Sequence, residues 1–165
     1  MIFAVPTKPF RQNNARLSKA TSNENETMGS ETMSTETLQP AEWPRPKGYA
    51  NGVAARGRMI FISGQIGWDA QGQFGSDNLT EQVKQALRNI VRVLEEAQGE
   101  PRHLVRLTWY VLSRDAYLRE ARAIGAAYRE VMGKHFPAMS VVEVRALVEQ
   151  RALVEIEATA VIPDP

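Results

Sequence analysis

The chain has 165 residues, 43% of them hydrophobic and 24% charged, enough for one globular domain with its own core. Its formal net charge of +1 gives no electrostatic footprint for nucleic acid, and the absence of cysteine excludes disulfides, thiol nucleophiles and thiolate metal sites. No apolar run approaches the roughly 18–20 residues that span a bilayer, so no membrane partner is expected and a cytoplasmic location is.

Residues 1–42 differ in character from the rest. Lys8, Arg11, Arg16 and Lys19 precede any acid, and a Ser/Thr/Glu-rich stretch runs from Thr21 to Gln39. So few large apolar side chains cannot offset the entropy lost on ordering. The segment is expected to be a disordered extension, or a start assigned too far upstream, with Met28 and Met33 as alternative starts. A basic, acid-free beginning also suits a transit peptide. The folded domain is expected over 43–165.

Trp43-Pro44-Arg45-Pro46-Lys47-Gly48 is a stiff, extended lead-in, because two prolines fix φ and remove donors. Tyr49 to Ala55 and Met59 to Ser63 predict two strands, with Arg56-Gly57-Arg58 as a hairpin turn. A loop rich in Gly and Asp follows, from Gly67 to Gly75. Val83, Leu87, Ile90, Val91, Leu94 and Ala97 recur at three- and four-residue spacing and predict a helix from about Thr80 to Gln98. Asn78 or Thr80 caps it, and Gly99 before Pro101 stops it. Leu104 to Leu112 reads as a strand. A second helix is predicted from about Asp115 to Met132, with Leu118, Ala121, Ile124, Gly125, Tyr128 and Met132 inward and Gly133 at its end. Ser140 to Ala146 and Leu153 to Ile162 are the last two strands.

The order is β-β-α-β-α-β-β, an α+β arrangement of one mixed sheet with both helices on one face. The other face carries Thr108, Tyr110, Ser140, Val142 and Val144, too apolar to be left in water, and burial in an oligomer is the economical outcome.

Three segments occur in order: Phe61-Ile62-Ser63-Gly64-Gln65-Ile66, Phe136-Pro137-Ala138-Met139-Ser140-Val141-Val142-Glu143-Val144, and Val154-Glu155-Ile156-Glu157-Ala158-Thr159-Ala160. Over roughly residues 43 to 163 the chain resembles the RidA (YjgF) family of small trimeric proteins, whose best-known members hydrolyse reactive enamines and imines. The resemblance implies a chorismate-mutase-like fold, a homotrimer, ligand sites in the clefts between subunits, and no cofactor or metal.

It also implies roles for particular residues. Glu157 matches the family glutamate that orients the hydrolytic water or moves protons near the substrate nitrogen. A carboxylate there serves as general base and then acid. Glu155 shares its strand face, about 6.5–7 Å away, and both glutamates equally suit ion pairs at a subunit interface. Tyr49 matches a tyrosine that closes the cleft, and otherwise reads as an edge-strand ring with a wet hydroxyl. Ser63 and Gly64 match a Ser-Gly that lets a ligand approach the backbone, and otherwise read as a strand-end turn. No histidine stands at a spacing that suggests a serine triad.

Met139 stands where the family usually carries the arginine that grips the substrate carboxylate, and a thioether cannot replace that bidentate contact. Gly125 stands where many members have asparagine, and Val141 where some have cysteine. All three departures make the cleft less polar, leaving Arg45, Arg106 or a neighbouring subunit's arginine to supply charge. Trp109 stacks on a ligand or packs in the core, and Trp68 in the loop suits a lid. His103 and His135 lack a metal-ligand pattern and read as surface or interface residues. The helical Arg and Lys residues alternate with acids and read as solvated faces.

The expected function is therefore the binding of a small metabolite between subunits, with hydrolytic deamination of an imine or enamine not held by the usual arginine. The alternative is a non-catalytic trimer that binds a small molecule or a protein. Ammonia release from imines with and without a carboxylate separates the two.

Overall fold

The computed structural model describes residues 35–164. Its elements are β1 (Thr35–Leu38), β2 (Gly52–Ala55), β3 (Arg58–Gln65), α1 (Leu79–Glu96), a 3-10 turn (Pro101–His103), β4 (Leu104–Val111), α2 (Arg114–Met132), β5 (Ala138–Glu143) and β6 (Val154–Ile162). The main sheet has the order β3-β6-β4-β5, with β4 and β5 parallel and the other neighbours antiparallel.

Both helices pack on one face of this sheet. Val83, Leu87, Ile90 and Leu94 of α1 and Ile124, Tyr128 and Met132 of α2 meet Leu107, Trp109, Val154, Ile156 and Ala158 in one core. The Asn78 side chain accepts from the Glu81 N–H at 3.0 Å and caps α1, and Ser113 does the same for α2 through Ala116 N–H at 3.1 Å. Glu120 of α2 accepts from the Thr80 backbone N–H and hydroxyl, bringing a negative charge to the start of α1.

Two expectations about the strands need correction. β2 and β3 do not form a hairpin: β2 pairs with β1, while β3 pairs with β6. Gly57 has φ +142, and a Cβ there would run into the Ile162 backbone, so this glycine serves a close crossing over the end of β6. The predicted extension also contains ordered chain, because Thr35–Leu38 is strand β1; residues 1–34 lie outside the described residues. A parallel bridge joins Ala50 to Ala138, with Ala50 N–H donating to Pro137 O at 2.9 Å, so the segment before β2 is tied to the start of β5.

Further differences are local. Leu118 is 60% exposed rather than inward, and Tyr117 beside it packs edge-on to Trp109 at 6.4 Å. His103 is buried rather than a surface residue, with its Nδ1 accepting from Glu100 N–H at 2.9 Å. Burial, then the nearby Arg102 charge, lowers its pKa. Gln82, also buried, donates to Ser76 O and Arg151 O and accepts from Leu153 N–H, fastening the β5–β6 connection to α1.

The face opposite the helices carries Met59, Phe61 and Val142 at 55%, 74% and 44% exposure, alongside Thr108 and Tyr110. No helix is long and apolar enough to cross a membrane among the described residues.

Candidate active site

The expected site residues fall into separate places in one chain. Met139, Gly125 and Trp109 come together in a cleft of about 350 Å³ between α2 and β5, with Gly48 and Lys47 at its rim. The register explains this. Met139 lies beside Leu107 and so points to the helix side of the sheet, where α2 presents Gly125. Trp109 is 2% exposed, flanked by Tyr117 and Tyr128, and Phe136 stacks on Tyr128 with ring centres 5.5 Å apart. Burial raises the pKa of both tyrosines, so they stay neutral phenols at ordinary pH.

Tyr49 is 44% exposed and sits between Gly48, which lines the cleft, and Ala50, which is bridged to Ala138. That places it at the rim rather than in the wall. Val141 pairs with Trp109 across the parallel ladder and is 36% exposed on the edge strand.

Glu157 lies elsewhere. It pairs with Thr108 on the open face, and its Oε2 accepts from the Tyr110 hydroxyl at 3.0 Å. That hydrogen bond is the main cause of a raised Tyr110 pKa. A small cavity of about 80 Å³ adjoins Glu157, lined also by Arg106, Thr108 and Thr159. Arg106, one of the arginines available to replace the missing one, therefore shares the glutamate's face and not the Met139 cleft.

Ser63 and Gly64 sit where the β3–β6 register shifts between Ile62 and Gln65. A Cβ on Gly64 would collide with the Glu155 carboxylate, so within one chain Glu155 occupies the room that the glycine leaves. Glu155 pairs with Tyr110 and so lies on the open face with Glu157. Trp68 is bridged to Phe74 across its own loop, and its carbonyl accepts from Asn89 at 2.9 Å.

Of the residues lining this cleft, sequence reasoning named Trp109, Gly125 and Met139 for the site and missed the rest, among them its two cations, Lys47 and Arg129. The signal for Arg129 was present: Tyr117, Ala121, Gly125 and Arg129 stand four apart and form one stripe along α2.

The profile of the family described as Endoribonuclease L-PSP matches residues 42–162. A RutC family protein of Pyrococcus abyssi is 31% identical over 129 residues, covering 78% of this chain and 98% of its own length. A human protein named 2-iminobutanoate/2-iminopropanoate deaminase is 35% identical over 105 residues, 63% of this chain and 73% of its own length. Among solved structures, a protein of unknown function of the conserved Rid family from Yersinia pestis superposes with a TM-score of 0.69 at 33% identity, covering 79% of this chain and all of that one. Two helices on a mixed α+β sheet agree with the chorismate-mutase-like fold of these relatives. The matched span, the shared fold and these identities together make this chain a member of the Endoribonuclease L-PSP family, also called RidA or YjgF.

Proposed function

We propose that this chain is a homotrimeric hydrolase of imines or enamines, with each site built from two subunits. The observation that carries this reading is the division of the site residues. Glu157 is on the open face of the sheet, and Met139 and Gly125 are in a cleft on the helix side. One chain cannot bring them together, whereas the cleft of one chain set against the open face of the next can. The exposed Met59, Phe61 and Val142 on that face supply apolar surface for such an assembly.

The chemistry follows from a carboxylate next to water. Glu157 takes a proton as the water oxygen attacks the imine carbon and returns it to the nitrogen as the C=N bond becomes a C–N bond. Glu157 then takes the carbinolamine hydroxyl proton as the C=O bond forms and passes it to the nitrogen as C–N breaks, releasing ammonia and a free carboxylate, so that imine plus water gives ketone plus ammonia. Tyr110, donating to Glu157, fixes the carboxylate's orientation. Tyr49 closes the rim, backbone N–H groups near Val141 position the ligand, and Ser63 and Gly64 border the open-face half of the site. No metal or cofactor is needed for these steps. Several relatives are named as imine deaminases, which supports the reaction type.

The name of the family speaks of ribonuclease activity, but a net charge of +1 offers little to a polyanion, so a small molecule is the proposed ligand. A chain without cysteine accords with a reducing compartment, and the cytoplasm is the proposed place of action. Met139 in place of an arginine favours a second reading, a trimer that binds without turnover. Ammonia release from imines generated by an amino-acid oxidase tests the first reading. Wild type accelerates it and Glu157→Gln does not; thermal stabilisation by ligand with no acceleration would establish the second.

A further inference from the structure

We propose that Arg129, assisted by Lys47, holds a carboxylate in the α2–β5 cleft in the role that Met139 cannot fill, and that the rest of the ligand is a flat aromatic group. This assignment rests on the cleft being the substrate site of the proposed function.

The arginine is placed by the helix itself. Gly125 lies one turn before Arg129, and the Arg129 Nη1 is 3.5 Å from where a Gly125 Cβ would sit. The guanidinium therefore folds back along α2 over the space that the glycine leaves open. Among the described residues neither Arg129 nor Lys47 has an acidic partner, which is also true of Arg106, Arg119 and Arg122; what sets these two apart is that they line one cleft. No acid lines the cleft. Two cations lining one cleft with no counter-charge suit an anion, and a guanidinium binds a carboxylate through two parallel hydrogen bonds.

Trp109 lines the cleft at 2% exposure, closed in by Tyr117 and Tyr128. The same wall specifies the ligand's body. Ala121 and Gly125 leave a shallow floor about 6 Å long between their backbones, and Tyr117, Trp109 and Phe136 surround it with ring surface. An aryl-bearing 2-imino or 2-oxo acid would place its carboxylate at Arg129, over Gly125, and its ring toward Ala121, beside Tyr117 and Phe136. Met139 contributes an adaptable apolar contact rather than a charge.

The test is calorimetric binding of phenylpyruvate, its methyl ester and pyruvate to the full chain. Phenylpyruvate is expected to bind more tightly than pyruvate. Arg129→Met is expected to weaken phenylpyruvate by about tenfold or more, to leave the methyl ester unchanged, and to leave the unfolding temperature unchanged. Arg129→Lys is expected to recover part of the loss. No phenylpyruvate binding, or an unchanged dissociation constant in Arg129→Met, would overturn the assignment. Its failure is separable from that of the proposed reaction. Binding through Arg129 without ammonia release refutes the reaction alone, and turnover with an Arg129-independent affinity refutes this assignment alone.

Discussion

Replacing Gly125 with alanine is expected to stabilise the protein. Gly125 lies in the middle of α2, where glycine costs about 1 kcal/mol relative to alanine because it loses more backbone freedom on folding. The new Cβ would meet only Arg129 Nη1, at 3.5 Å, an ordinary contact with the end of a flexible side chain. Nothing therefore offsets the helix gain, and a net increase of about 0.5–1 kcal/mol follows, or roughly 2–5 °C in unfolding temperature for a domain of this size. Gly99 provides the contrast. A Cβ there would lie 2.5 Å from Leu94 Cδ1 and 3.1 Å from Ile162 Cδ1, in the core, so Gly99→Ala is expected to destabilise by about 1–3 kcal/mol. Urea unfolding followed by circular dichroism at 222 nm, at equal protomer concentration, measures both. A loss of stability in Gly125→Ala would refute the reasoning, since it would mean that the group covering Gly125 does not yield to a methyl.

Two other outcomes follow from local geometry. Gln98 is the residue after the α1 C-cap and has φ 61, while Gly99 N–H bonds to Leu94 O and Gln98 N–H to Glu95 O, a Schellman closure with a side chain in the left-handed position. Gln98→Gly is therefore expected to stabilise by about 0.5–1 kcal/mol, read in the same unfolding assay. His103 has its pKa lowered from the ordinary value of 6.5 by burial. Its contribution to stability is complete above that value and is lost as pH falls through the lower folded-state pKa, because the unfolded chain takes up the proton first. Stability should decline on acidification below about 6.5, and His103→Gln should flatten that part of the profile.

Much of the helix layer was legible because its signals are local. Val83, Leu87, Ile90 and Leu94 repeat at the helical period and are fully buried, and Asn78 caps as expected. The strands Gly52–Ala55 and Arg58–Gln65 were legible too, but the first strand and the pairing of the second were not. Thr35–Leu38 is a Thr/Glu-rich segment whose strand state depends on pairing with Gly52–Ala55, a non-local fact. The glycine of Arg56-Gly57-Arg58 reads as a turn residue, yet what it accommodates is the distant Ile162 backbone. Met139 and Gly125 line one cleft because the β4–β5 register turns Met139 to the helix side, where α2 presents Gly125. The resemblance did not reveal that Glu157 faces the other way, which needs the β4–β6 register. Arg129 escaped notice because a helical arginine among acids looks solvated until the empty position at Gly125, one turn away, is seen to receive it.

The central claim, a site divided between subunits, is tested most directly by complementation. Glu157→Gln removes the proposed base, and Gly125→Leu fills the cleft; each alone should abolish ammonia release from an imine that wild type hydrolyses. Refolded together in equal amounts, random trimers should place an intact Glu157 against an intact cleft at about a quarter of their sites, recovering about a quarter of wild-type activity. No recovery from the mixture, with both variants folded and assembled, would contradict a site made from two chains.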